Sequence, residues 1–389
     1  MLNIKLTQDF HFITNGTFKE INGEKLVMNY LIKHPKSTPP LALLAVGKAA
    51  VSMAQGAVSG LQQAPQKTLI VTKYKHYNDE LDLPNMQVIE SGHPVPDAMS
   101  LKAGEEVTHL CEWLHQQCQE NPNNDNWVLC LISGGTSSLV EKLKPGISLD
   151  DLQSTNKELL GSGKDIASMN LRRKQMSLLK QGGLAELLPE IPIKALYLSD
   201  VPTNDPAVIG SGLLRSAAAK AHIRHEILAD NSYARSQAEK IATEIGYQVV
   251  HHPELLEGTV EESATEILQQ MQQDAGKLHI WGGEPVIKLP ANPGIGGRNQ
   301  HLGLIMAKHL AGNLPACFAS IGTDGTDGLT EYAGAIVDNL SSGKIANIEQ
   351  EILQANSMHA LQQANANINT GASGSNLMDI MFGYYTPES

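Results

Sequence analysis

The stretch GTDGTDG, Gly322 to Gly328, sets two carboxylates, Asp324 and Asp327, three residues apart in a glycine turn. It follows the apolar run Ala316-Cys317-Phe318-Ala319. Glycine and aspartate suit a plain turn. Carboxylates just past a strand also offer the hard oxygen ligands that Mg²⁺ prefers. Asp205 and Glu284 stand in similar loops, TNDP and GGEP, and complete a candidate metal set of Asp324, Asp327, Asp205 and Glu284. Asp200, in LSDVPTND, is the candidate to orient a reacting hydroxyl or take its proton. Taken singly, each of these carboxylates reads as a turn or cap residue. Their recurrence in one class of loop is what favours a site.

Cations accompany them. Lys48 follows Gly47 directly after an apolar run and suits a carboxylate or phosphate. Arg298 lies in GIGGRNQ, where Gly296 and Gly297 free the backbone and Asn299 adds a polar side chain. A guanidinium there can grip phosphate with two parallel hydrogen bonds. That loop is not a dinucleotide fingerprint, because the last glycine of G-x-G-x-x-G is missing. In ISGGTSS, Gly134 and Gly135 allow close approach, while Ser133, Thr136, Ser137 and Ser138 supply hydroxyls. A helix opening there would aim free N–H groups at an anion. Asn170 and Arg173, in MNLRRK, sit in a basic cluster from which one member could turn toward substrate. GSGK, Gly161 to Lys164, fails as a P-loop, since Asp165 stands where Ser or Thr would hold Mg²⁺.

These loops share a position. Short apolar runs at 41–46, 68–73, 86–91, 127–132 and 194–200 alternate with helical patterns at 48–61, 100–119, 149–161 and 165–181. The alternation predicts a Rossmann-like parallel sheet with helices on both faces. A second α/β series begins near His225, which places a boundary at about 222: residues 1–222 form one domain and 223–389 the other. In open α/β sheets ligands lie beyond the carboxyl ends of the strands. VGKAA, ISGGTSS, LSDVPTND, WGGEP and IGTDGTDG all fall there.

Composition narrows the function. The chain has 389 residues, 29 Lys+Arg against 41 Asp+Glu, and a net charge of −12. An acidic surface argues against nucleic-acid binding, which favours a basic stripe. The apolar runs are far shorter than the roughly 20 residues a membrane span needs. Cys111, Cys118, Cys130 and Cys317 show no C-x-x-C spacing and fit a reducing compartment. The expectation is a cytoplasmic protein with a small-molecule partner, no nucleic acid and no membrane. Monomer and homodimer both stay open.

The chain resembles the type II D-glycerate kinases, whose C-terminal part is a MOFRL domain. The matching segments are VGKAAVSMA, SGHPVPD, LISGGTSSL, MNLRRKQMSLLKQGGLAE, LSDVPTNDPAVIGSG, GGEPVIKL, GIGGRNQHLGLIMA, GTDGTDGLTEYAGAIVD and NTGASGSNLMD, in order over most of the chain. The resemblance implies two α/β domains, the second of MOFRL type, with the active site in the cleft between them. It implies ATP-dependent phosphorylation of D-glycerate, usually at the 2-hydroxyl, with Mg²⁺. It makes Lys48 and Arg298 active-site groups. The sequence departs from the family pattern at Leu329, His301, Gln175 and Thr203-Asn204, and in TGASGSN. Two alternatives remain at this level: an NAD(P)-dependent hydroxypyruvate reductase, and a non-catalytic protein that binds hydroxy acid or nucleotide.

Overall fold

The computed structural model describes residues 2–77, 81–122, 125–161, 175–215, 220–312 and 314–387. The chain divides into two compact units, Gly23–Leu228 and Met1–Asn22 with Ala229–Ser389. The Gly23–Leu228 unit runs past the boundary at 222 that the sequence suggested. The first 22 residues belong to the C-terminal unit, a pairing the proposed boundary did not contain.

The Gly23–Leu228 unit carries strands β1 (Ala42–Val46), β2 (Lys67–Lys73), β3 (Met86–Ser91), β4 (Val128–Ile132), β5 (Ile193–Leu198) and β6 (Ile223–Ala229). They form one sheet in the order β3-β2-β1-β4-β5-β6. The strand at 223–229 therefore closes this sheet instead of opening the second series. Parallel pairing runs through β3, β2, β1, β4 and β5. β1 and β4 are buried along their whole length, which is why ALLAV and VLCLI read as unbroken apolar runs. Of the helices, α2 (Gly23–Lys33) packs on α3 (Ala50–Gly60), and α4 (Ala98–Glu120) covers β2 and β3. α3 crosses from β1 to β2 and α4 crosses back from β3 to β4. Right-handed crossovers in opposite directions put them on opposite faces. α4 opens on a capping box of Asp97 and Ser100. Its Val107, Leu110 and Leu114 pack against Leu44, Val46, Cys130 and Ile132. Each such Leu or Val contributes about 1.5–3 kcal/mol on full burial, so the core fixes where the strands end.

The other unit has a mixed sheet. Its strands are β7 (Val249–Leu256), β8 (Leu278–Gly283), β9 (Ala316–Gly322), β10 (Gly334–Asp338), β11 (Asn367–Ile368) and β12 (Asp379–Tyr385). The order is β11-β10-β9-β12-β8-β7. β7 and β8 are parallel, and β12 lies between β8 and β9, antiparallel to both. The N-terminal helix, α1 (Leu2–Ile21), buries Leu6, Phe10 and Ile13 beside Ala238, Ala242 and Phe382. A second core joins Val260, Ile267, Met271 and Trp281 to Leu302, Met306 and Leu310. The last three lie on the helix Arg298–Leu310. Among the described residues no helix is long and apolar enough to cross a membrane.

Candidate active site

In the parallel sheet, Val46 is level with Ile132 and Ile132 with Tyr197. The chain beyond these ends forms one layer of loops. Ser133 N–H donates to Val46 O at 3.0 Å, and Lys48 N–H donates to Gly134 O at 2.9 Å. The Ser133 hydroxyl accepts from Ala49 N–H at 3.1 Å. The Thr136 hydroxyl lies 3.0 Å from Val46 O and 2.7 Å from Ser133 O. Ser138 donates to Gly135 O, and Ser137 bonds the hydroxyl of Ser211 at 2.7 Å. The hydroxyls expected to meet a phosphate are thus engaged in building the loop. The helix after ISGGTSS is one turn, Thr136–Leu139. It is too short to supply the helix-terminus field the sequence suggested.

Gly135 is where the side chains converge. Its φ is +86°, and a Cβ there would sit 3.0 Å from Lys48 Cγ and 3.1 Å from His93 Cδ2. The Lys48 stem and the His93 ring therefore both lie on this glycine. The sequence alone singles out His93 only weakly, because a histidine after a strand is as often a packed residue. Asp200 is half-buried at the end of β5. Asp205 is exposed, and its carboxylate accepts Ala207 N–H at 2.8 Å, a turn-cap role. Asn170 and Arg173 lie outside the described residues.

In the mixed sheet, Asp379 is level with both Gly283 and Gly322. WGGEP, GTDGTDG and the start of β12 therefore share one edge, and the helix Arg298–Leu310 begins there. Arg298 Nε is 2.5 Å from Asp379 Oδ2 and its terminal nitrogen 3.2 Å from Oδ1, a two-pronged grip. The same terminal nitrogen pairs with Glu284. Burial opposes the guanidinium charge, yet Asp379, Glu284 and Asp327 outweigh it and push its pKa up. Sequence reading missed Asp379. It stands 81 residues from Arg298 and looks like any aspartate before a strand.

Within the Ala229–Ser389 unit, the carboxylates of the candidate metal set each have partners in the protein. Asp327 accepts Gln300 N–H at 2.7 Å and Asn299 N–H at 3.1 Å, so it caps the helix that Arg298 opens. Gly297 permits this, since a Cβ there would lie 2.2 Å from Asp327 Cγ. Burial raises the Asp327 carboxyl to about 7, and Asp379 adds to the rise, while the two N–H donors and Arg298 oppose it. Glu284 is paired with Arg298, and Asp324 accepts Thr326 N–H at 2.9 Å within its own turn. Asn299 is buried, with its amide oxygen on the Ser320 hydroxyl at 2.6 Å. Gly296 packs on Ser357. Among the described residues no three His, Cys, Asp or Glu gather at metal-binding spacing.

One α/β unit carries a lysine at its strand ends and the other an arginine. Comparison with known proteins narrows the class. Residues 12–245 match a domain of unknown function, DUF4147, and residues 277–379 match the MOFRL family. A protein of Thermotoga maritima named D-glycerate 2-kinase is 32% identical, the match covering 88% of this chain and 89% of that one. The crystal structure of a glycerate kinase from Thermotoga maritima superposes with a TM-score of 0.84 at 29% identity, over 98% of this chain and 99% of that one. A protein of Agrobacterium vitis named as a candidate hydroxypyruvate reductase is 29% identical, over 76% of this chain and 85% of its own. The chain belongs to the glycerate kinase family with a C-terminal MOFRL domain.

Proposed function

We propose that this protein transfers the γ-phosphoryl group of ATP to the 2-hydroxyl of D-glycerate, giving 2-phosphoglycerate and ADP. The observation that carries the proposal is the meeting of Lys48, His93 and the Gly135 turn at the carboxyl ends of β1 and β4. A similar strand-end position is held by Arg298 in the mixed sheet. The substrate hydroxyl forms a bond to the γ-phosphorus as the bond to the β–γ bridging oxygen breaks. Such transfer relies on placement and charge neutralisation more than on covalent chemistry. Lys48 and Arg298 supply positive charge for phosphate and carboxylate oxygens. The Gly134-Gly135 backbone lets an anion come close. Asp200 orients the hydroxyl and receives its proton. Mg²⁺ would neutralise phosphate charge, with Asp324 as the carboxylate nearest in character to a ligand. The hydroxyls of ISGGTSS act by holding Lys48 and Gly135 in place.

A coupled ADP-release assay with D-glycerate and Mg-ATP tests the proposal, with phosphorus NMR of the product separating the 2- from the 3-phosphate. ADP release that does not depend on D-glycerate would overturn it. The Agrobacterium relative's name raises a reductase as the second reading. Loss of NADH absorbance with hydroxypyruvate would support that reading instead. The missing G-x-G-x-x-G fingerprint weighs against it.

A further inference from the structure

A cavity of about 540 Å³ lies within the Gly23–Leu228 unit, at the opposite end of the sheet from Lys48 and Gly135. Trp127, Ile193 and His222, at or just before the first residues of β4, β5 and β6, form part of its wall. The five residues of β4 alone separate this end from the carboxyl ends by about 17 Å. The volume is in the range of ordinary small-molecule sites.

Its lining is cationic. Lys36, Lys194 and Arg224 contribute to it against a single carboxylate, Glu226. The two lysines are held over aromatic faces. Lys36 Nζ is 5.3 Å from the Trp127 ring centre, and Lys194 Nζ is 5.1 Å from that of Tyr30 and 5.9 Å from that of Trp127. Lys194 also donates to His34 O at 3.4 Å. No carboxylate among the described residues forms an ion pair with Lys36, Lys194 or Arg224. The His222 Nε2 atom is buried with no hydrogen-bond partner among the described residues. Burial, then Lys36 and Arg224, push the Lys194 pKa down, and Glu226 only partly offsets them. Cations gathered this way repel one another, and an anion between them would relieve the repulsion. Pro35, Pro192 and Ile193 give apolar wall for a carbon body.

We propose that this cavity is a second small-molecule site, separate from the site of phosphoryl transfer, for an organic anion bearing two or more negative charges as phosphate or carboxylate. The stem of Lys194 with Pro35 and Pro192 would hold the carbon body. Lys36, Lys194 and Arg224 would hold the charged groups. The inference does not depend on which reaction the other end of the sheet performs.

Titration calorimetry on the full chain tests it, with phenyl phosphate, citrate, inorganic phosphate and phenol as probes. Phenyl phosphate or citrate should bind one to one. The stronger of the two identifies the head-group chemistry. Inorganic phosphate, lacking a carbon body, should bind more weakly, and phenol should not bind. Lys194→Met should weaken the better probe at least tenfold and Arg224→Ala at least threefold. Lys48→Ala should leave that binding unchanged. Without probe, turnover of Arg224→Ala should stay within twofold of wild type. Melting curves check folding, and exposed Arg224 decides the matter if Lys194→Met is unstable. Absence of binding by both organic anions overturns the proposal. So does binding that Lys48→Ala removes while Lys194→Met and Arg224→Ala leave it intact.

Discussion

Asp379→Asn isolates what the carboxylate does for Arg298. The substitution keeps the side-chain shape at the head of β12 and removes the charge that accepts the two-pronged guanidinium contact. A hydrogen bond to a charged group contributes about 1.5–3 kcal/mol. The Arg298 side chain is 35% exposed, so water already screens part of that. The amide oxygen can still accept one N–H. A loss of about 1–2 kcal/mol follows, and at roughly 2–4 °C per kcal/mol the melting point should fall by about 2–8 °C. If Asp379 also aims Arg298 at an anion, kcat/KM should fall at least tenfold, about 1.4 kcal/mol. The double mutant separates the two roles. Arg298→Ala alone leaves Asp379 buried without its cation, a costly arrangement. Adding Asp379→Asn should therefore raise the melting point of Arg298→Ala while lowering its kcat/KM no further. Thermal melts and glycerate-dependent ADP release on the three variants supply both readings. A lower melting point with wild-type kcat/KM in Asp379→Asn would show the pair to be structural only. Additive losses of activity would refute the idea that Asp379 acts through Arg298.

Three further outcomes follow from the same geometry. Lys48→Ala should lower kcat/KM by roughly 10²–10³, as for one preorganised electrostatic donor, with little change in melting point; near-normal turnover would remove Lys48 from the site. Gly297→Ala puts a Cβ 2.2 Å from Asp327 Cγ, so the cap must move aside, costing about 1–3 kcal/mol; an unchanged melting curve would contradict the close approach. The third concerns Asp327, whose folded pKa of about 7 lies above the ordinary 3.8. Between those values the folded state keeps a proton that the unfolded state has lost, so stability falls as pH rises through the window. Asp327→Asn lacks that fall, and its melting point should gain on wild type between pH 5 and 7.5. It should also keep the wild-type dependence on Mg²⁺ concentration, whereas Asp324→Asn should weaken it. Parallel melting profiles, or a lost Mg²⁺ response in Asp327→Asn, would reverse these assignments.

The parallel sheet was legible because its strands are buried on both faces. ALLAV and VLCLI have few other structural options, and their burial leaves polar chemistry to the loops beyond their ends. The N-terminal helix carries an equally plain signal: Leu6, Phe10, Ile13, Thr17 and Ile21 recur at helical spacing on the buried face. The position of β12 was not legible. Its seven residues read as a short apolar strand, but nothing local says that it inserts antiparallel between β8 and β9. That one pairing brings Asp379 level with Gly283 and Gly322, and with it the partner of Arg298. A residue whose role depends on non-local pairing has no signature in its own neighbourhood.

The carboxylates show a deeper ambiguity. Helix N-termini, guanidinium groups and metal–phosphate complexes all draw negative charge. An α/β sheet brings all three to the same edge, since helices begin where strands end. A carboxylate in a strand-end loop is therefore equally expected as a cap, as an ion-pair partner or as a ligand. Sequence alone does not rank these roles. Packing does: Asp327 lies against a residue with no Cβ and meets two helix N–H groups, Glu284 meets Arg298, and Asp205 closes its own turn. Each contact uses charge that a metal would otherwise have to win from it. A carboxylate is left for chemistry only where its contacts do not neutralise it. Asp324 accepts the Thr326 N–H and hydroxyl within its own turn, whereas Asp327, its twin in the repeat, is taken up by the helix N–H groups of Asn299 and Gln300.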